Sequence, residues 1–290
     1  MRKIILILAL CLLLTGCGAP QESADIAATT LPVWEFTTRL CEGTGLSVTR
    51  LVTESVSCLH DYSLNVRQVR AAEAADLIII NGAGLEDFMH DLIHDRDHID
   101  SSLGIELTEC AEEHDHGHDH EGHHHDVDNH IWLSISNART MARNICAGLT
   151  QYYPQHIETF EGNLTLLLAD LDALDAYADS TLASLSCREL ITFHDGFGYM
   201  AESFGLHILE AVEEESGSEA SAAELKHMIN IVREHNLPAI FTETNGSDSA
   251  ASIIAAETGA AVYSLDMAMS GDSWFDAMYH NINTLKEALG

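Results

Sequence analysis

The chain has 290 residues, of which 46% are hydrophobic and 20% are charged, so it can build one large domain or two ordinary ones and is not a disordered protein. Its 13 Lys and Arg against 46 Asp and Glu give a formal net charge of −33. A surface this acidic repels phosphate backbones, which excludes nucleic-acid binding, whereas it attracts small cations.

The N-terminus is typical of a secretory signal peptide. Arg2 and Lys3 precede an apolar run over residues 4–14, which is shorter than the roughly 20 residues that span a bilayer. The sequence LTGC that ends at Cys17 resembles the bacterial lipobox. We therefore expect a signal peptide over residues 1–17 and a lipid on Cys17 that anchors the chain outside the cytoplasmic membrane. In the alternative, the signal is cleaved elsewhere and Cys17 has no such role.

Short β-branched or apolar runs alternate with helical patterns on both sides of the chain's centre. In the first half we predict strands at 25–30, 46–52, 76–80 and 104–108 and helices at 33–41, 65–75 and 85–93. In the second half we predict strands at 189–193, 207–211, 239–242 and 261–265 and helices at 197–204, 220–235, 249–258 and 273–289. Strands separated by helices imply parallel βαβ units, so the predicted fold class is α/β with two similar parallel-sheet lobes.

Between the two halves, residues 155–186 have the pattern of one long helix. The segment contains no Pro and a single Gly, Gly162, and its apolar side chains recur at spacings of three and four. A helix of that length runs roughly 45 Å and would join the lobes as a rigid strut. The alternative is two shorter helices that break near Gly162.

The five cysteines beyond Cys17 do not form a recognisable metal motif. None of them belongs to a CxxC pair, so a thiolate zinc cluster has no support. Their odd number permits at most two disulfides, and the sequence does not assign the pairs. These cysteines are Cys41, Cys58, Cys110, Cys146 and Cys187.

Histidine is concentrated in one acidic segment. Seven of the 18 His lie between His114 and His125, interleaved with Asp, Glu and Gly, and nothing there can form a core. Imidazole and carboxylate both bind metals, so this loop is predicted to bind a divalent cation weakly at several positions. Zn²⁺ is the cation that these ligands favour. The alternative is that this segment is a charged linker with no specific role. A selective site requires ligands on rigid elements, because ordering a mobile loop costs entropy.

Three further His follow predicted structural elements: His60, His130 and His194. His60 lies in a loop after the second strand, and His194 directly follows a strand. Ligands of open α/β sheets collect beyond the carboxyl ends of strands, which is where these two residues lie.

The motifs around these His, in their order along the chain, carry a family resemblance. They are the lipobox, HDY at 60–62, NGAGLE at 81–86, the His-rich loop, DNHIWL at 128–133, HDGFGY at 194–199 and FTE at 241–243. The set resembles the zinc-binding solute-receptor lipoproteins of bacterial ABC importers, whose close relatives bind manganese. Two positions depart from the family pattern, because Asn129 and Thr244 stand where Pro is usual.

The resemblance implies a metal site between two lobes joined by one long helix. His60 and His130 would come from the first lobe and His194 from the second. Manganese-binding relatives commonly carry a carboxylate at the position of His194, so three imidazoles favour Zn²⁺. The fourth ligand stays open: Asp266 is the carboxylate within reach, and water or a loop His are the alternatives.

His90, His94 and His98 recur every four residues and suggest one face of a helix. A second metal site on that face is one interpretation. A solvated stripe among neighbouring aspartates is the other, and the acidic surroundings favour it.

These features predict an extracytoplasmic receptor that captures Zn²⁺ and delivers it to an ABC permease, attached to the membrane by its lipid and acting as a monomer that is not an enzyme. A manganese or other divalent-metal receptor is the alternative, and a zinc-dependent hydrolase is a weaker one, since a GxSxG motif is absent. The expected division is a signal peptide at 1–17, an N-terminal α/β lobe at 18–153 with the His-rich loop at 112–128, a linking helix at 154–186 and a C-terminal α/β lobe at 187–290.

Overall fold

The computed structural model describes residues 24–55, 59, 62–108, 127–211, 220–244 and 246–290. The expectations for the signal peptide, Cys17 and His60, and almost all of the His-rich loop, lie outside these residues. Within the described ranges, no helix is both long enough and apolar enough to cross a membrane.

Four short strands form the first parallel sheet. They are β1 (Ile26–Ala28), β2 (Val48–Arg50), β3 (Leu77–Ile80) and β4 (His98–Asp100), in the order β2-β1-β3-β4. All four residues of β3 are apolar and buried, as expected for a strand covered on both faces. Because the strand order reverses between β1 and β3, the crevice beyond their carboxyl ends is open to a ligand.

The second sheet repeats this arrangement with β5 (Glu189–Thr192), β6 (His207–Ala211), β7 (Ala239–Glu243) and β8 (Ala261–Leu265). Its order is β6-β5-β7-β8, and every pairing is parallel. The order reverses between β5 and β7. The two sheets therefore place equivalent crevices at the ends of equivalent strand pairs, which confirms the predicted fold class.

Helices flank both sheets and connect them. They are α1 (Leu31–Leu40), α2 (Val66–Ala74), α3 (His90–Ile93), α4 (Ile135–Tyr152), α5 (Ile157–Leu182), α6 (Gly198–Ser203), α7 (Ala222–His235), α8 (Ser249–Thr258) and α9 (Trp274–Leu289).

The long central helix is α5, which spans about 39 Å at 1.5 Å per residue. It buries Phe160, Leu167, Leu171, Leu174, Ala178 and Leu182 on one face. This face packs against α1 and α4 of the first lobe and against α9 of the second. The helix continues through Gly162, whose added Cβ would meet no atom within 4 Å, so the alternative of two shorter helices is wrong.

Three predictions for residues 85–108 differ from the structure. Residues 104–108 form no strand, and the fourth strand is β4 instead. Because His98 belongs to β4 whereas His90 begins α3, the three His at four-residue spacing do not share a helix face. The predicted helix at 85–93 is a 3₁₀ turn over Asp87–Met89 followed by the single turn of α3.

One hydrophobic core spans both sheets. At its centre the Trp132 indole N–H donates to the carbonyl of Met267 at 2.7 Å, and the Trp274 indole N–H donates to the carbonyl of Trp132 at 3.1 Å. Both rings are completely buried. These two bonds tie the segment after β8 to the segment before α4, and this is the region in which the predicted ligands lie.

Candidate metal centre

His130 is buried and is oriented by an aspartate two residues before it. Asp128 Oδ1 accepts the backbone N–H of His130 at 2.9 Å and lies 2.7 Å from His130 Nδ1. The imidazole also packs against Trp132, with ring centroids 5.3 Å apart. The carbonyl of Asp128 in turn accepts the hydroxyl of Tyr199 from α6 of the second lobe, at 3.0 Å. The ring is therefore fixed from both lobes.

His194 is oriented by a carboxylate from the neighbouring strand. It lies two residues after β5, and its Nδ1 is 3.1 Å from Oε1 of Glu243, the last residue of β7. The strand order reverses between β5 and β7, so this pair stands at the crevice where ligands of parallel sheets bind.

The two imidazoles face each other across the lobes. His130 Nε2 and His194 Nε2 are 3.3 Å apart, and the ring planes are nearly perpendicular at 88°. A proton on each Nδ1 satisfies the two carboxylates and leaves a lone pair on each Nε2. Two lone pairs at this distance repel each other unless a cation or a shared proton lies between them. The arrangement is that of two carboxylate-oriented histidines prepared for a metal ion.

The space around the rings depends on Gly196. A Cβ added there would lie 2.6 Å from His194 Cδ2, 2.6 Å from Met267 Cε and 2.9 Å from His130 Nε2. Real Cβ contacts are not this close, so a larger residue would displace one of these groups. Glycine at this position therefore keeps the centre open.

A second buried carboxylate supports the loop beside His130 from the first sheet. Glu86 accepts the hydroxyl of Thr29 at 2.6 Å and the backbone N–H groups of Asn81 and Gly82 at 2.7 and 3.0 Å. Burial raises the pKa of Glu86 to about 7, against the lowering effect of these donors. The amide of Asn81 then donates to the carbonyl of Asn129 at 3.4 Å, which links the end of β3 to the residue before His130.

Of the four predicted metal ligands, the structure brings His130 and His194 together. His60 lies outside the described residues. Asp266 is used within its own turn: its Oδ1 accepts the N–H of Ala268 at 2.7 Å, and its backbone exchanges two hydrogen bonds with Asn281. The role of Asp266 as a metal ligand stays a prediction, and one of its carboxylate oxygens already accepts a hydrogen bond within the turn. Among the residues whose positions are described, no three His, Cys, Asp or Glu form a complete metal site.

Sequence reasoning did not assign roles to Asp128, Glu243, Gly196 or Met267. Asp128 and Glu243 stand inside the family motifs, so a signal was present, but the pairing of Glu243 with His194 requires the packing of β5 beside β7. The position of the Met267 methyl group beside Gly196 has no signal in the sequence.

Comparisons with known proteins identify the family to which the chain belongs. The family model of ZnuA, described as zinc-uptake complex component A, periplasmic, matches residues 26–288. The chain is 30% identical over 308 residues to the zinc-binding lipoprotein AdcA of Streptococcus pneumoniae, which covers 99% of this chain and 61% of that longer protein. It is 29% identical over 315 residues to the high-affinity zinc uptake system protein ZnuA of Bacillus subtilis, which covers 98% of this chain and 97% of that protein.

Comparison with solved structures identifies the same family. A crystal structure of ZnuA superimposes with a TM-score of 0.77 at 28% identity and covers 92% of this chain and 100% of that one. These findings confirm the resemblance seen in the sequence motifs, and they agree with a receptor rather than an enzyme. The chain therefore belongs to the ZnuA family of periplasmic zinc-uptake components.

Proposed function

We propose that the chain is an extracytoplasmic receptor that binds one Zn²⁺ through His60, His130 and His194 and delivers it to an ABC permease. The observation that carries this proposal is the 3.3 Å approach of two Nε2 atoms from different lobes, each on a ring whose Nδ1 faces a carboxylate. The family membership and the zinc-binding names of the relatives support it.

The chemistry of the donors favours zinc over manganese. Imidazole nitrogens suit Zn²⁺, whereas Mn²⁺ prefers carboxylate, carbonyl and water oxygens. Asp128 and Glu243 face the Nδ1 atoms of the two rings, so they orient the rings and offset the cation's charge through them. Water, Asp266 or a His of the acidic loop would complete the four-coordinate shell of Zn²⁺.

The position of the site at the seam of the lobes explains how tight binding and release are compatible. His130 and His194 belong to segments of different lobes, so a small relative displacement on docking to the permease separates two donors at once. The indole bond from Trp132 to Met267 and the hydroxyl bond from Tyr199 to Asp128 join the two lobes at this seam. A small shear therefore suffices, and a wide opening of the lobes is not required.

The lipid anchor on Cys17 and a monomeric state complete the proposal. A tethered receptor stays near its permease without diffusing away, and the acidic His-rich loop would raise the local concentration of cations beside the site. The two sheets and α5 support the proposed domain division at 18–153, 154–186 and 187–290.

Native mass spectrometry with Zn²⁺ and with Mn²⁺ tests the proposal, on the mature chain and on a form that lacks residues 112–126. The proposal predicts one Zn²⁺ that survives desalting in both forms, additional weaker ions in the intact chain only, and displacement of Mn²⁺ by Zn²⁺. Loss of the tightly held ion on deletion of the loop would contradict the assignment of the site to the three histidines. Preferential retention of Mn²⁺ would support the manganese alternative.

A further inference from the structure

The segment that carries the His-rich loop begins and ends at two residues that bond to each other. The backbone N–H of Asp128 donates to the carbonyl of Thr108 at 2.8 Å. Residues 109–127, which include most of the His-rich loop, are therefore a long insertion that is closed at its base. Asp128 also accepts the backbone N–H of His130 and lies 2.7 Å from its Nδ1, so the base of the insertion supports a proposed metal ligand.

A tyrosine of the second lobe joins both sides of this base. The Tyr199 hydroxyl accepts the backbone N–H of Thr108 at 3.0 Å and donates to the carbonyl of Asp128 at 3.0 Å. A phenol has a single O–H donor, and here that donor and an acceptor lone pair are both used. The Tyr199 side chain is buried, and Phe would fill the same space without either bond.

The helix that carries Tyr199 is itself fixed against the first lobe. Tyr199 lies in the first turn of α6, and the hydroxyl of Ser203, at the end of this helix, donates to the carbonyl of Tyr199 at 2.8 Å. The same hydroxyl lies 3.0 Å from that of Ser134, which caps α4 of the first lobe. A Cβ on Gly198 would lie 3.2 Å from Asp128 Oδ2, so α6 also packs closely on this carboxylate. Tyr199 therefore presents its hydroxyl from a fixed position.

The length of the insertion makes these bonds necessary. Loop closure becomes less favourable with roughly the 3/2 power of loop length, so the 19 residues from 109 to 127 close about tenfold less readily than four would. We propose that Tyr199 is a positioning residue, which holds the base of the insertion closed and thereby keeps Asp128 and the ring of His130 in place for the metal. The consequence for binding rests on the proposed zinc site, whereas the bonds of Tyr199 require no metal.

Chelator competition for Zn²⁺ tests the proposal on the mature chain and on Tyr199→Phe, each with and without residues 112–126. In the intact chain, Tyr199→Phe should weaken zinc binding by about tenfold, because the base opens and Asp128 leaves His130 in most molecules. Without residues 112–126, four residues close the base, and the same substitution should cost less than about threefold. Equal losses at both lengths would overturn the proposal, since a purely structural role does not depend on the length of the insertion.

Tyr177→Phe is the control for the loss of a hydroxyl bond. The hydroxyl of Tyr177 on α5 donates to Asn283 of α9 at 2.7 Å, so it also joins two elements, but not at the base of the insertion. Its removal should change zinc affinity by less than about threefold at both lengths. A loss as large as that in Tyr199→Phe would contradict the proposal.

A measurement without metal separates this proposal from the proposed function. The proton between His130 Nδ1 and Asp128 Oδ1 can be followed by ¹⁵N NMR of the metal-free mature chain with its insertion intact. Its exchange with water should be at least about tenfold faster in Tyr199→Phe and unchanged in Tyr177→Phe. Unchanged exchange in Tyr199→Phe would refute the role of Tyr199. Faster exchange in a chain that holds no Zn²⁺ would refute the proposed function and leave the role of Tyr199 standing.

Discussion

At the scale of single residues, the carboxylates behind the two rings determine what the rings can bind. A carboxylate on Nδ1 holds the proton there and directs the Nε2 lone pair outward. Asp128 does this for His130 from two residues away, whereas Glu243 does it for His194 from another strand. The local pair is readable from the sequence motif, and the cross-strand pair is not.

Replacing Asp128 with Asn should weaken zinc binding while keeping the fold. Asn retains the shape and an acceptor oxygen for the backbone N–H of His130, but it loses the negative charge that lies beside Nδ1 of the ring. Loss of such a partner typically costs 10–100-fold in metal affinity, so about that decrease is expected by calorimetry. Asp179→Asn, which changes an exposed carboxylate on α5, is the control and should bind zinc normally. Unchanged affinity in Asp128→Asn would show that the pair has no role in binding.

Gly196→Ala should close the centre. Its Cβ would approach His130 Nε2 and Met267 Cε to below 3.0 Å, so a ring or the thioether must move. We expect zinc affinity to fall by at least about tenfold, measured by chelator competition. Gly162→Ala is the control, because its Cβ meets nothing within 4 Å in the exposed part of α5. That variant should bind zinc normally and gain about 0.5–1 kcal/mol of stability, since Ala is the better helix former.

Glu86 should make the stability depend on pH. Its pKa is about 7 in the folded chain against 4.5 for an exposed Glu, chiefly because of burial. The folded state thus holds the proton more strongly, so the stabilising contribution is complete below pH 4.5 and is lost as the pH rises through 7. The loss is on the order of 3 kcal/mol.

Glu86→Gln should remove this dependence. The thermal unfolding temperatures of the two proteins should be furthest apart at pH 5, where Glu86 makes its full stabilising contribution and Gln offers an NH2 group in place of one accepting oxygen, and should converge by pH 8. Other titrating groups contribute equally to both proteins, so the difference between the curves isolates Glu86. Parallel curves from pH 5 to pH 8 would contradict the shift.

At the scale of elements, strong hydrophobic periodicity was sufficient to predict a helix or strand. Short segments without such periodicity were predicted wrongly. The predicted limits of β6 and α8 agree with the structure residue for residue, and α5 extends unbroken through its Gly. The strand β4 has only three residues, His-Ile-Asp, and its charged ends resemble the helical stripe before it. The helix α4 had no counterpart among the predicted helices, although its buried residues recur at helical spacing.

The role of α5 as a strut predicts a large stability cost for a cavity on its buried face. Leu171→Ala removes a fully buried side chain and should lower the free energy of unfolding by about 2–5 kcal/mol in urea denaturation. Leu166→Ala on the same helix is the control, because Leu166 is 65% exposed and should cost less than about 1 kcal/mol. Equal effects of the two substitutions would mean that α5 is not packed as the structure shows.

At the scale of the whole molecule, the site results from two similar sheets that present their crevices to each other. The βα alternation predicts each sheet, and the ordered motifs predict the family. Neither determines how the sheets pack, and that packing decides which side chains share the centre. This is why His130 and His194 were predicted from the sequence, whereas the position of the Met267 methyl group beside Gly196 and the structural use of Asp266 were not.

The most direct test of the account is anomalous diffraction at the zinc edge from crystals of the mature chain grown with one equivalent of Zn²⁺. The account predicts a single strong peak with Nε2 of His130 and of His194 each about 2.0–2.1 Å away, and an imidazole nitrogen of His60 at the same distance. A strong peak held by the His-rich segment alone, or one that leaves His194 outside its coordination sphere, would contradict it.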